Sequence, residues 1–220
     1  RKLGRFDPVP IAGIAPGRDA SLAVLDLNND GYADAALTLG GPSGGTLLLE
    51  NRDGVLTPGR TLARALAWAD TQNRSWTDLL SAEGLRFGQG NFEFSGPAPL
   101  GGTGTLAAVA ADFDADGKED FLVLDASGRP RLLRNTIETS NQHVTIALQG
   151  VKNQILAEGS RVEVKAGMVY RKRVYRGHPL VFGLGSAETI DTVRITWANG
   201  LIQNESQQAA GLVHEYVEKP

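Results

Sequence analysis

The sequence predicts an all-β protein: three repeated units of the kind that form partial or truncated β-propeller blades, followed by a small β-sandwich or barrel-like domain. Three observations predict it. With 27 Gly and 10 Pro in 220 residues, turns recur too often for long amphipathic helices. A nine-residue acidic turn is spelled twice, 86 residues apart, with a degenerate copy halfway. From His143 onward, apolar residues alternate with polar ones at the two-residue period of a half-buried strand.

The acidic turn decides the first part. Residues 112–120, Asp-Phe-Asp-Ala-Asp-Gly-Lys-Glu-Asp, carry carboxylates at positions 1, 3, 5 and 9 with Gly117 at position 6. Hard cations take six to eight oxygens, and a loop turning at glycine can aim alternate side chains inward. Without a cation, Asp112, Asp114, Asp116 and Asp120 repel one another at short range. Asp26, Asn28, Asp30 and Asp34 repeat the spacing around Gly31, so both turns read as Ca²⁺ loops, with the last binding tighter on its four carboxylates. An EF-hand is excluded. Its position 12 demands a bidentate Glu, and here stand Leu37 and Val123 between strand-like flanks.

One four-stranded blade runs about 40–45 residues, so a middle copy belongs near residue 69. Asp70-Thr-Gln-Asn-Arg-Ser-Trp-Thr-Asp78 keeps the first and last Asp but carries Gln72, Arg74 and Ser75 inside. The Arg74 guanidinium can pair with Asp70 and Asp78 in place of an ion, so no calcium is expected there. The apolar flanks Leu22–Leu25, Ala65–Trp68 and Leu106–Val109 precede the three turns. The segments 35–37, 79–80 and 121–124 follow them, then further short strands at 46–50, 85–87 and 131–134. The units lie near 11–55, 56–100 and 101–138, within a first part spanning 1–138; Phe6 and Val9 in residues 1–10 suit the last strand of a preceding blade.

These residues resemble the FG-GAP (VCBS-type) repeats of integrin α-subunit propellers and bacterial exported proteins. The core D-x-[DN]-x-[DN]-G-x-x-D is matched at 26–34 and 112–120, and Phe87-Gly88 and Gly90-Asn-Phe92 resemble the Phe-Gly and Gly-x-Phe elements. The resemblance implies propeller blades with two Ca²⁺ sites. Asp26, Asn28, Asp30 and Asp34 would ligate with the Tyr32 carbonyl; Asp112, Asp114, Asp116 and Asp120 with the Lys118 carbonyl. Three units fall short of the four to eight blades of closed propellers.

Residues 139–220 form the second part. Strands are expected at 143–149, 161–165, 169–175, 192–197, 201–203 and 213–217, with turns at Ala166-Gly167 and Asn199-Gly200. Five or six strands over this length favour a sandwich or open barrel. Val144–Leu148, Gly159-Ser-Arg-Val162, Phe182-Gly-Leu-Gly185, Ile190–Trp197, and Asn199-Gly200 with Gln203 resemble the ASPIC/UnbV domain over roughly 141–217. That resemblance implies a fold rather than a chemistry. The stretch Val174–Val181 is compressed where the family has a longer loop.

Composition narrows the function. A hydrophobic share of 41% with 21% charged residues suits a folded soluble domain, and a net charge of −3 argues against a nucleic-acid partner. Up to residue 140 there are 13 Lys+Arg against 18 Asp+Glu, an excess that two Ca²⁺ would roughly cancel. No run approaches the ~20 apolar residues of a membrane span. The chain opens at Arg1 without an apolar leader, as a mature form or an excised fragment would, and millimolar external calcium favours an extracellular, periplasmic or cell-surface location.

Other residues carry weaker signals. The basic run Arg171-Lys-Arg173 with Arg176 reads first as a solvated strand face, with Glu163 pairing Arg173 across strands, and second as a site for an anionic partner. His143, His178 and His214 lack zinc spacing. Trp68, Trp76 and Trp197 read as core ahead of a sugar platform. Glu83, Glu93 and Asp125 are ordinary carboxylates, and no nucleophile or nucleotide motif appears. Asn73-Arg-Ser75 and Asn204-Glu-Ser206 match the glycosylation sequon. The expectation is a non-enzymatic, exported, calcium-stiffened interaction or adhesion protein with a protein or glycan partner. The alternatives are a carbohydrate-binding or polysaccharide-processing module, or a fragment of a larger enzyme.

Overall fold

A computed structural model describes residues 7–11, 14, 19–40, 44–100, 104–152 and 154–219. Among the described residues there is no helix; all regular structure is strand, and no sheet closes on itself. The chain divides into two compact units, one holding residues up to Leu25 with Tyr32–Arg64, the other Asp26–Gly31 with everything from Ala65 on.

The first unit is an antiparallel meander of β1 (Ser21–Leu25), β2 (Asp34–Thr38), β3 (Thr46–Arg52) and β4 (Val55–Leu62). Asp53 and Gly54 both have positive φ, the requirement of the tight turn whose twist matches paired strands. Pro58 is tolerated in β4 because that strand lies at the sheet edge. The hydroxyls of Thr38 and Thr46 bond each other at 3.0 Å in the interior. The strand expected before this sheet falls partly on residues 1–6, outside the described residues; Val9 is 83% exposed and extends no sheet.

The second unit opens with two further meanders. β5 (Ala65–Ala69), β6 (Asp78–Ser81) and β7 (Gly84–Arg86) form one sheet, followed by a separate two-stranded hairpin of β8 (Gly88–Gly90) and β9 (Glu93–Phe94). β10 (Thr105–Ala111), β11 (Asp120–Asp125) and β12 (Pro130–Leu133) form the next. Leu80 and Leu85 pack with Phe121 and Val123, and Ala67 and Ala69 let the sheets approach closely. In all three meanders the acidic turn joins the first strand to the second.

Seven strands complete the chain: β13 (Gln142–Gln149), β14 (Arg161–Ala166), β15 (Val169–Val174), β16 (Leu180–Gly185), β17 (Thr189–Thr196), β18 (Ile202–Ala209) and β19 (Val213–Val217). They make two sheets, ordered β16-β13-β19 and β15-β14-β17-β18. β13 is antiparallel to β16 and parallel to β19. Val144 and Ile146 of one sheet face Val162, Val164, Val193, Ile195 and Trp197 of the other, in an interior closed by Phe182, Leu184 and Tyr216. Burying each such side chain contributes about 1.5–3 kcal/mol, so this interior is the main store of apolar stability. Seven strands replace the five or six expected. Leu180–Gly185 is interior on both faces along most of its length and so shows no alternation. In Ile202–Ala209, Gln, Asn, Glu and Ser hide the period beyond Gln203.

Candidate metal centre

The three acidic turns share one backbone. Position 4 is left-handed in each, at Asn29, Asn73 and Ala115, with φ of 59°, 52° and 60°. Position 6 is left-handed too, at Gly31, Ser75 and Gly117, with φ of 85°, 65° and 82°. The carboxylate at position 1 explains the curl. Asp26, Asp70 and Asp112 each accept the amide of position 6, at 3.0, 2.6 and 3.0 Å. Ser75 is the costly member, since a left-handed serine replaces a glycine that adopts this conformation freely.

The ninth-position carboxylates anchor the sheets. Asp120 is fully buried, accepting the amides of Asn135 at 2.7 Å and Phe113 at 3.2 Å. Asp34 accepts the Asn51 amide at 2.9 Å, and Asp78 accepts the Gly88 amide at 2.9 Å. Asn51 and Asn135 complete the pattern: each turns its side-chain amide to the carbonyl of position 8, Ala33 or Glu119. Sequence reasoning missed these two asparagines, although Leu48-Leu-Glu-Asn51 and Leu132-Leu-Arg-Asn135 repeat the same spelling.

In the last turn, Asp112, Asp114 and Asp116 bring carboxylate oxygens within 4.8 Å of one another, the one such acidic group among the described residues. Lys118 Nζ lies 3.2 Å from Asp116 and Arg134 Nε 3.1 Å from Asp114, so two side-chain cations border the cluster. The Lys118 amide donates to Asp116 at 2.9 Å. Asp120 stands apart from the group, its oxygens committed to backbone amides. The His143 ring sits directly over Gly117, where any Cβ would collide with it.

In the first turn the expected ligands divide between the two units. Asp26, Asn28 and Asp30 belong with the second, Tyr32 and Asp34 with the first. Asp26 Oδ1 is buried without a hydrogen-bond partner, and burial raises this carboxyl above its ordinary value, against the pull of Arg171. An orphaned acceptor beside Asp30 is a donor set that suits a hard cation. Tyr32 is half exposed.

The middle turn is filled from within. Arg74 Nη2 pairs with Asp78 at 3.2 Å and its guanidinium lies over the Phe87 ring, while from Arg74 the Asp70 carboxylate accepts the backbone amide, at 2.8 Å, rather than the guanidinium. Burial lifts the Asp70 carboxyl to about 6 and raises Asp78 as well, the latter opposed by the Thr71 hydroxyl.

Position 4 links the turns. The Asn29 amide donates to the Ser75 carbonyl at 2.8 Å, and the Asn73 amide to the Gly117 carbonyl at 3.0 Å. Each is a position-4 amide reaching the position-6 carbonyl of the next turn. Asn73 is therefore buried, and its sequon is closed to modification in the folded chain.

The basic run departs from the solvated face paired by Glu163 expected of it. Arg171 is buried, donating to the Asp26 carbonyl and to Thr77 Oγ1, each at 3.4 Å. Lys172 donates to the Gly31 carbonyl at 2.8 Å, and Arg173 pairs with Glu119 at 3.4 Å. Glu163 lies opposite Lys172 and pairs with Arg161. Arg171, Lys172 and Arg173 thus meet the acidic turns, whereas Arg176 is exposed.

The remaining candidates do not converge. Trp197 is core, and Trp76 is half-buried against Gly90. Glu83 and Asp125 line one cavity of about 230 Å³ with Arg131, at the hairpin ends of their sheets. Glu83 is paired with Arg86, and Asp125 is drawn below its ordinary value by the Ser127 hydroxyl and the Arg129 amide. No helix among the described residues is long and apolar enough to cross a membrane.

No curated protein matches the chain. The family model described as ASPIC and UnbV matches residues 150–219, which takes in β14 to β19 and leaves out only β13 of the seven sandwich strands.

Proposed function

We propose that this chain is an exported calcium-binding interaction protein, in which Ca²⁺ rigidifies propeller-blade loops that support an ASPIC/UnbV-type domain. The carboxylate group of Asp112, Asp114 and Asp116, held by the same curled backbone as the middle turn, is the observation that carries this reading. A turn that needs no ion replaces positions 3, 5 and 6 with Gln72, Arg74 and Ser75; the outer turns keep oxygen donors and glycine there. Asp112, Asp114, Asp116 and the Lys118 carbonyl would hold one ion, with Asp120 fixing the turn from behind. Asp26, Asn28 and Asp30 would hold the other. A bound ion would supply the positive charge that Lys118 and Arg134 now share with the cluster, and binding only the folded state raises stability. The blade identity rests on the repeated strand–turn–strand–hairpin order and on the FG-GAP-like spelling. Thermal melts test it: chain stripped of metal and held in EDTA should melt several degrees below the same chain in millimolar CaCl₂, and coincident melts would end the calcium reading.

A further inference from the structure

We propose that Arg171 is a resident cation that sets the calcium affinity of the first turn and holds it well below that of the last; the proposal rests on the calcium reading above. Arg171 is only 7% exposed, and its guanidinium donates to the carbonyl of Asp26, the residue whose Oδ1 is left without a partner. From the same strand, the Lys172 ammonium sits on the Gly31 carbonyl of that turn at 2.8 Å. A divalent ion held by Asp26 and Asp30 thus meets two fixed positive charges. One of them is sealed from water, where screening is least.

The last turn differs in kind. Of its bordering cations, Arg134 is 63% exposed and can swing into solvent when an ion arrives, and Lys118 is partly buried on a flexible four-carbon stem rather than sealed in the interior. Arg171 has no such freedom. Its strand is fixed by pairing with Val164, its far nitrogen is bound to Thr77, and Asp70 and Glu119 lie within its field. Nor can it shed its charge near neutrality, since a guanidinium stays protonated in proteins. The basic strand therefore makes two similarly spelled turns unequal, and it does so from more than 130 residues away in sequence.

Calcium titration calorimetry on the full chain tests this. Asp114→Asn/Asp116→Asn silences the last turn and isolates the first. In that background Arg171→Gln, which keeps hydrogen-bonding capacity but loses the charge, should tighten binding about tenfold or more, while Arg171→Lys should stay within about threefold of the parent. Arg173→Gln, at a position 30% exposed that adds to the same field, should tighten it by less. Arg173→Gln also supplies the sign of the effect if Arg171→Gln fails to fold. An unchanged or weakened first-turn constant in the folded neutral variant overturns the role of Arg171, even where the last turn binds normally in the unaltered chain. Absence of calcium binding in the unaltered chain overturns the calcium reading itself, and this proposal with it.

Discussion

At the scale of single residues, the acidic turns separate two jobs that the spelling merges. Position 1 curls the turn and position 9 ties it to the sheet, and both occur in the middle copy, which has no ligand set. Positions 3 and 5 hold neither job and carry the oxygen donors of the outer turns. Asp70 shows the cost of the structural job. Its carboxyl is raised to about 6 by burial, above the ordinary 3.8, so the folded state holds a proton that the unfolded chain has released. The associated stability is complete below about pH 4 and lost as pH rises through 6. Urea unfolding at pH 4 and pH 7 should therefore show the parent losing roughly 2–3 kcal/mol relative to Asp70→Asn over that interval. Parallel pH profiles would contradict it.

Among elements, β15 and β16 hold the sandwich against the turns. The Gly185 amide donates to the Asn73 carbonyl at 2.9 Å, and the Ser75 hydroxyl donates to the Gly183 carbonyl. Gly183 has no room for a side chain: a Cβ there would collide with Asp70 Oδ2 and lie 2.6 Å from the Asn73 backbone. Gly183→Ala should destabilise by about 2–4 kcal/mol in denaturant unfolding, because backbone on both sides must move. Gly167→Ala, at a turn with open space around it, should cost only the strain of its left-handed φ, about 1 kcal/mol. Equal losses at the two positions would show that β16 is not seated on the middle turn.

For the molecule as a whole, the second unit is tied together across long sequence distances. Its turns are linked by Asn29 and Asn73, and its sandwich reaches them through Arg171, Arg173 and Gly185. Calorimetry should therefore show the residues from Ala65 onward unfolding in one transition, with native-state hydrogen exchange giving the Gly185 amide the same opening free energy as the sandwich core. A sandwich that melts apart from the meanders would refute this. The sequence by itself determined the all-β class, the three turns and most of the sandwich strands, because strand alternation and turn glycines are local signals. It fixed the curl of the acidic turns for the same reason, since Asp26, Asp70 and Asp112 act on amides five residues away. Only the tertiary structure decided the fate of the basic run and the grouping of charges around each turn. Whether an arginine is solvated or sealed against an acidic turn depends on which distant segment packs over it, and no period in the chain records that.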